Sequence, residues 1–354
     1  MSEAPVIVAV DGKVGRLTLN RPDALHALNT PMCRLMIDAL LAWRSDPAVT
    51  VVQIDHAGPR GFCAGGDIRM LAESGAGDGR AARDFFHTEY RLNALLQAYP
   101  KPVVALIDGV TMGGGVGISV HGAFRVASER TVFAMPETGI GLFPDVGGGW
   151  FLPRLPIAEL GTWLALTGAR LKGDSCVAAG IATHYAPSEL HGAVRAQIAG
   201  AAQTDAPARA LRSGLDALDE SGPRTLAPVP LQPLFGFDAV EDILAALDRD
   251  GGAWALEQAA ILRTKSPQTL KVALRQLRLG ARMQTFADNM RMEYRIGARV
   301  VARHDFHEGV RAVIIDKDNA PRWSPATLAD VDQALLDEIF AALPAGEEWT
   351  PIES

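Results

Sequence analysis

The chain has 354 residues, of which 48% are hydrophobic and 21% are charged. This is the composition of an ordinary globular protein, and it excludes a disordered or fibrous chain. Acidic residues number 41 against 34 lysines and arginines, and the net charge of −7 argues against nucleic acid or an anionic membrane surface as a partner.

Three features of the sequence lead us to expect a cytoplasmic protein. No apolar run approaches the roughly 18 residues that a membrane helix needs. The N-terminus lacks the basic and apolar regions of a secretory signal and the arginines of a transit peptide. The three cysteines are far apart and form no CxxC pair, which indicates free thiols in a reducing cytosol.

Residues 1–205 show alternating strand and helix patterns, which are typical of an α/β core. Asp11 and Gly12 predict a hairpin turn between the first two strands. Thr30 is the expected cap of the first long helix, with Pro31 at its first position, and Asp67 is a plausible cap of the next. The predicted strands are residues 6–10, 14–19, 49–54 and 103–107, and the predicted helices include residues 31–43 and 80–99.

Residues 206–354 predict a helical C-terminal portion that packs on the core and completes the site. Five prolines between Pro207 and Pro233 indicate a linker at its start. The helices predicted beyond it are residues 238–247, 252–262, 266–279, 285–302 and 330–343.

Glycine is the most informative residue type, because 11 of the 35 glycines lie between Gly109 and Gly149. The triplet that ends at Gly115 follows a predicted strand and precedes a possible helix. Main-chain N–H groups at such a place favour the oxyanion that develops when a thioester carbonyl is attacked, although a tight packing turn is an equal alternative. A second run of small residues, from Gly61 to Asp67, is a weaker candidate of the same kind. Dinucleotide, P-loop and serine-hydrolase motifs are absent from the sequence.

Three segments carry a resemblance to a known family. FCAGGDIRML and the stretch from KPVVALIDG to WFLPRLP resemble the crotonase (enoyl-CoA hydratase/isomerase) superfamily, and the stretch from MEYRIGARV to APRWSPA resembles its thioester hydrolase branch. The resemblance implies a crotonase-like spiral core of repeated ββα units. It also implies an oxyanion hole made by two main-chain N–H groups. The first would come from Ala64, with Gly65 and Gly66 as near candidates, and the second from Gly114.

The acidic residues that match the family define the implied chemistry. The hydratases carry two catalytic glutamates, and here one of those positions is Gly117 while the other matches Glu137, so hydration is disfavoured. Asp145 and Glu89 match acidic residues of the hydrolase branch. The apolar neighbours of Glu137 predict burial and a raised pKa, whereas Asp145 could instead cap a helix and Glu89 could face solvent.

The resemblance therefore implies hydrolysis of a short branched β-hydroxyacyl-CoA thioester, most specifically 3-hydroxyisobutyryl-CoA in valine catabolism. Glu137 would act as general base or as nucleophile through an anhydride, and Asp145 would orient water or the substrate hydroxyl. Glu89, Gly65, Gly66 and Asp67 are the expected substrate-binding residues. An enoyl-CoA hydratase or isomerase and a non-catalytic acyl-CoA-binding protein are the alternatives.

Acyl-CoA is the expected partner, together with a possible homo-oligomer but neither nucleic acid nor membrane. We expect no cofactor, because CoA arrives as part of the substrate, and no metal. The pair His304 and His307 has metal-like spacing, but no third ligand is evident and a structural role is the stronger interpretation.

Overall fold

The computed structural model describes residues 4–222, 226 and 229–352. The chain folds into two compact units that interleave along the sequence. They therefore do not follow the single boundary after residue 205 that the sequence predicts. The first unit comprises Met1–Gly66, Arg91–Phe133 and Arg170–Ala227, and the second comprises Asp67–Tyr90, Ala134–Ala169 and Pro228–Ser354.

The strands of the described residues form two sheets. A six-stranded sheet has the order β1-β2-β3-β4-β6-β9, and a three-stranded sheet has the order β5-β7-β8. β1 and β2 pair antiparallel as the predicted hairpin, and the other pairs of the larger sheet are parallel. The strands are β1 Val6–Asp11, β2 Val14–Leu19, β3 Val51–His56, β4 Val103–Ile107, β5 Val110–Met112, β6 Phe124–Ala127, β7 Val132–Ala134, β8 Leu171–Lys172 and β9 His184–Tyr185.

The described part of the chain also forms sixteen α-helices. In chain order they are α1 Thr30–Arg44, α2 Ile68–Gly75, α3 Arg80–Gln97, α4 Gly114–Gly117, α5 Gly148–Phe151, α6 Leu160–Thr167, α7 Ser175–Ala178, α8 His191–Ala202, α9 Pro207–Asp216, α10 Leu231–Phe235, α11 Val240–Asp250, α12 Ala253–Arg263, α13 Pro267–Gly280, α14 Phe286–Val300, α15 His304–Val310 and α16 Gln333–Phe340. The helices that the sequence predicts after residue 238 are all present, with their ends moved by a few residues.

The core of the first unit lies between the larger sheet and helices α8 and α9. Apolar side chains of the central strands, such as Val104 and Phe124, pack against Val194, Ile198 and Leu211 of the two helices. Because central parallel strands are buried, they read as continuous apolar runs rather than as an alternating pattern. That run is why residues 103–107 were predictable as a strand.

Two local predictions are wrong. The cap of α1 is Asn29, whose side chain accepts a hydrogen bond from the Met32 N–H at 3.0 Å, and Thr30 is already the first helical residue. The predicted linker is partly helical, since Pro207 begins α9 and Pro233 lies in α10. Proline fits the first turn of a helix because the N–H that it lacks has no partner there. Pro223 and Pro228 lie outside the described residues.

The three cysteines, Cys33, Cys63 and Cys176, are buried and none is in a disulfide. Burial raises the pKa of the Cys176 thiol to about 12. Among the described residues, no helix combines the length and the apolar character needed to cross a membrane.

Candidate functional site

The two runs of small residues lie side by side in the first unit. The Cys63 N–H donates to the carbonyl of Val110 at 2.8 Å, and the Met112 N–H donates to the carbonyl of Cys63 at 3.0 Å. Gly65 has φ +122°, and a Cβ atom there would lie 3.9 Å from the Gly114 nitrogen. The main chain of the loop after β3 and the main chain of the glycine triplet after β5 therefore lie next to each other, with few side chains between them.

The hydrogen bonds of these turns correct one predicted donor. The Ala64 N–H donates to the carbonyl of Leu25 at 3.0 Å, so it is already occupied. Gly66 forms a parallel bridge with Leu28, and the N–H groups of Gly66 and Gly114 have no acceptor among the described residues. Gly114 is the first residue of α4, where a main-chain N–H has no partner within the helix. Gly66 is therefore a better candidate than Ala64 for the first donor, and Gly114 keeps its place as the second.

The predicted carboxyl groups come together in the second unit. Glu89 lies on α3, Glu137 follows β7, and Asp145 precedes α5, and their exposed fractions are 1%, 5% and 5%. The charges of Asp145 and Glu137 raise the pKa of Glu89, and the charge of Asp145 raises the pKa of Glu137, so the three groups lie within electrostatic range of one another. The solvent-facing interpretation of Glu89 is wrong, because its helix packs this face inward.

Burial is the largest cause of the altered acidity of these groups. It raises the pKa of Asp145 to about 7. It also raises the pKa of Glu137 well above its ordinary value, with a further increase from the charge of Asp145. The pKa of Glu89 is raised by burial first and then by Asp145 and Glu137. The burial and the raised pKa predicted for Glu137 are confirmed. Carboxyl groups with such pKa values can exchange protons near neutral pH.

Two oxygens of this cluster lack a hydrogen-bond partner among the described residues. They are Oε1 of Glu89 and Oε2 of Glu137. Buried polar atoms nearly always have a partner, so each such atom calls for an explanation. A bound water or a polar substrate group is the natural partner at both positions.

Asp145 is held by a side chain rather than acting as a helix cap. The Tyr90 hydroxyl donates to its Oδ2 at 2.9 Å in a buried position. The residue that caps α5 is Gly147, which excludes the cap interpretation of Asp145. The Asp145 carbonyl accepts from the Gly148 N–H at 2.7 Å.

A fourth buried acid, Glu293 of α14, was missed by the sequence analysis. It is fully buried, and burial raises its pKa to about 8. Its carboxylate accepts hydrogen bonds from the N–H groups of Gly147 and Gly149 at 2.7 and 2.9 Å. The signal that could have found it is helical spacing, because Glu293 lies four residues after Asn289 and three before Ile296 on the buried face of α14.

Two further sequence positions have definite places. Asp67 caps α2, where its Oδ1 accepts from the Met70 N–H at 3.4 Å. Gly117, which matches a catalytic glutamate of the hydratases, is buried in α4 and brings no carboxylate. No cluster of three or more His, Cys, Asp or Glu side chains suited to a metal ion occurs in the part of the chain that the structure describes.

Comparisons with known proteins identify the family. A family model described as Enoyl-CoA hydratase/isomerase matches residues 14–340. The chain is 47% identical to a 3-hydroxyisobutyryl-CoA hydrolase, mitochondrial, from Danio rerio over 343 residues, which are 94% of this chain and 88% of the relative. The protein of the same name from Xenopus laevis is 46% identical and is matched over 94% of this chain and 87% of the relative.

The names of these relatives contradict the expected cytoplasmic location, since they are described as mitochondrial. Three buried thiols outside any disulfide indicate a reducing compartment but do not distinguish one such compartment from another. The prediction of a cytoplasmic location was therefore wrong, because the cysteines indicate a reducing compartment and not a particular one.

A solved structure has the same fold. It is described as a carnitinyl-CoA dehydratase from Mycobacterium thermoresistibile, and it is 39% identical, with a TM-score of 0.89 over 98% of this chain and 99% of that chain. The crotonase-like fold that the resemblance implied is confirmed. The chain belongs to the enoyl-CoA hydratase/isomerase family and, within it, to the group whose curated members are named 3-hydroxyisobutyryl-CoA hydrolase.

Proposed function

We propose that this protein hydrolyses 3-hydroxyisobutyryl-CoA to 3-hydroxyisobutyrate and free CoA, a step of valine breakdown. The observation that carries the proposal is the buried Glu137, with its raised pKa and an Oε2 atom that lacks a partner among the described residues. Relatives at 46–47% identity that are named for this activity support the choice of substrate.

The main-chain N–H groups of Gly66 and Gly114 are the proposed donors to the thioester oxygen. As the carbonyl carbon becomes tetrahedral, negative charge develops on that oxygen, and fixed donors stabilise it more than they stabilise the planar ester. Their lack of acceptors among the described residues supports this role.

Glu137 is the proposed catalytic carboxylate, with two possible routes. As a base it takes a proton from water while the water oxygen attacks the carbonyl carbon, and after the C–S bond breaks that proton passes to the CoA sulfur. As a nucleophile it displaces CoA to form an acyl anhydride, which water then hydrolyses. Label that appears in the Glu137 carboxylate during hydrolysis in ¹⁸O-labelled water establishes the anhydride route, since only attack of water on the glutamyl carbonyl of an anhydride places it there.

Asp145 and Glu89 are the proposed partners of the attacking water and of the substrate hydroxyl. Both lie with Glu137 in the second unit, and burial raises the pKa of each. Gly65, Gly66 and Asp67 are proposed to contact the acyl-CoA. Neither a metal nor a redox cofactor enters the proposal, because hydrolysis transfers no electrons and CoA arrives with the substrate.

Replacing Glu137 tests the proposal directly. We expect Glu137→Gln to slow CoA release by at least about 100-fold, because the amide cannot accept the proton of water. The measurement is the release of free thiol from 3-hydroxyisobutyryl-CoA, with circular dichroism to verify folding. Glu257→Gln, the same exchange at an exposed position of α12, is the matched control.

A rate for folded Glu137→Gln close to that of the control would reject the assignment of Glu137. A screen of short acyl-CoAs with and without a β-hydroxyl tests the substrate. The hydratase alternative predicts loss of enoyl absorbance from crotonyl-CoA without thiol release, and the glycine at position 117 argues against it.

A further inference from the structure

The main chain around Asp145 is strained. Val146 has φ +52° and Gly147 has φ +90°. A β-branched side chain rarely adopts the left-handed region, and such a conformation persists only where the surroundings enforce it. Val146 is also buried, so this segment cannot relax toward solvent.

Glu293 is the centre of the contacts that enforce this conformation. Its Oε2 accepts from the Gly147 N–H, and its Oε1 accepts from the Gly149 N–H. The side-chain amides of Asn289 and Gln276 also donate to Oε1, at 2.8 and 3.0 Å.

The same network holds the other side of Asp145. Nε2 of Gln276 donates to the carbonyl of Pro144 at 2.7 Å as well as to Glu293. Pro144 and Gly147, which flank Asp145 and Val146, are therefore hydrogen-bonded to Gln276 and to Glu293 respectively. All four partners are N–H donors, and these hydrogen bonds favour the ionised form of Glu293 against the burial that raises its pKa. Both oxygens of the ionised carboxylate accept, whereas an amide or a hydroxyl could not receive all four N–H groups.

We propose that Glu293 is a positioning residue, which holds the strained segment 144–149 and thereby aims the carboxyl group of Asp145. The inference rests on the proposed function, in which Asp145 takes part in thioester hydrolysis. Among the described residues, the hydrogen bonds of the Glu293 carboxylate come from main-chain N–H groups and the two amides, so its effect on turnover passes through Asp145.

A double-mutant cycle separates positioning from general stability. We expect Glu293→Gln to lower kcat by about 30-fold or more with a change in KM of less than about 3-fold, because the amide presents N–H groups where an acceptor is needed. In an Asp145→Asn background the same change should lower kcat by less than about 2-fold, since residues that act as a unit are not additive. Thiol release and thermal unfolding are measured for all four proteins.

Glu338→Gln is the matched control. Glu338 is exposed and pairs with Arg303 at 2.8 Å, so this variant also loses a charged hydrogen bond but should keep wild-type kcat. If Glu293→Gln does not fold, the cycle is run with Gln276→Met, which keeps the volume and removes the donor to Pro144 and Glu293.

The outcomes distinguish this inference from the proposed function. Equal losses from Glu293→Gln in both backgrounds, or no loss in the wild-type background, overturn the positioning role. If Asp145→Asn slows hydrolysis and Glu293→Gln does not, only the positioning role fails. A wild-type rate for Asp145→Asn overturns the positioning role and the part proposed for Asp145, whereas the proposed function fails only if the wild-type protein releases no thiol from the substrate.

Discussion

At the scale of single residues, desolvation raises the pKa of the carboxyl groups in the candidate site more than neighbouring charges do. Burial is the first cause of the raised pKa at Glu89, Glu137, Asp145 and Glu293 alike. Neighbouring carboxylates come second or later at Glu89, Glu137 and Glu293. Groups that interact in this way titrate together, so their protons belong to the cluster rather than to one side chain. A site of this kind can release a proton and take it back near neutral pH.

The Gly114 N–H can be removed without changing any side chain that does chemistry. Gly114 is the first residue of α4, a position that tolerates proline. We expect Gly114→Pro to lower kcat by about 10²–10³, which corresponds to about 2.7–4 kcal/mol for the loss of one oxyanion donor.

Gly114→Ala is the control for this measurement, because it adds a Cβ atom at the same place and keeps the N–H. Thiol release at saturating substrate gives kcat for both variants. If the alanine variant loses as much activity as the proline variant, crowding rather than the lost donor is the cause, and the oxyanion role of Gly114 is refuted.

At the scale of elements, the end of α13 lies directly against the first turn of α5. A Cβ atom at Gly280 would overlap the carbonyl of Gly149, which is the residue whose N–H donates to Glu293. The absence of a side chain at Gly280 is therefore what allows this close approach.

We expect Gly280→Ala to lower the free energy of unfolding by about 1–3 kcal/mol, because the overlap must be relieved by moving main chain. Gly200→Ala is the matched control, since a Cβ atom there meets nothing within 4 Å and the residue is exposed in α8. The control should instead be more stable by about 0.5–1 kcal/mol, because alanine favours the helix. Urea unfolding measures both, and a stable Gly280→Ala would contradict the close packing described here.

Elements fixed by local signals were predictable, whereas those that depend on distant contacts were not. The β1–β2 hairpin and α13 follow from turn residues, capping residues and apolar spacing that lie within each segment. The sequence could not show that the Leu25 carbonyl accepts a hydrogen bond from the Ala64 N–H. Ala64 rather than Gly66 was therefore predicted as the first oxyanion donor. Glu293 was overlooked for a related reason, since its partners Gly147 and Gly149 are distant in the sequence.

At the scale of the whole molecule, the raised carboxyl pKa values link stability to pH. In the unfolded chain these groups have pKa values of about 4. Asp145 has a pKa of about 7 in the folded protein, so between these limits the folded state binds more protons. Its contribution to stability is therefore complete below about pH 4, declines as the pH rises and is lost above about pH 7.

We expect Asp145→Asn to unfold at a higher temperature than the wild type at about pH 8, with a smaller difference at about pH 5. The gain is on the order of 1 kcal/mol for each unit by which the pKa of Asp145 is raised. Calorimetry at the two pH values provides the measurement. Asp248→Asn, at an exposed residue paired with Arg263, is the control and should show no such dependence on pH. A gain for Asp145→Asn that is equal at both pH values would refute this linkage.

The burial of every cysteine has a consequence for a protein proposed to liberate CoA. Each turnover would produce a small thiol close to the protein, and CoA disulfides exchange readily with accessible thiolates. Cys33, Cys63 and Cys176 are all enclosed, and burial raises the pKa of Cys176 to about 12. Burial therefore prevents the thiols of the folded enzyme from forming a mixed disulfide with CoA. We expect its activity to stay constant when the ratio of oxidised to reduced CoA changes.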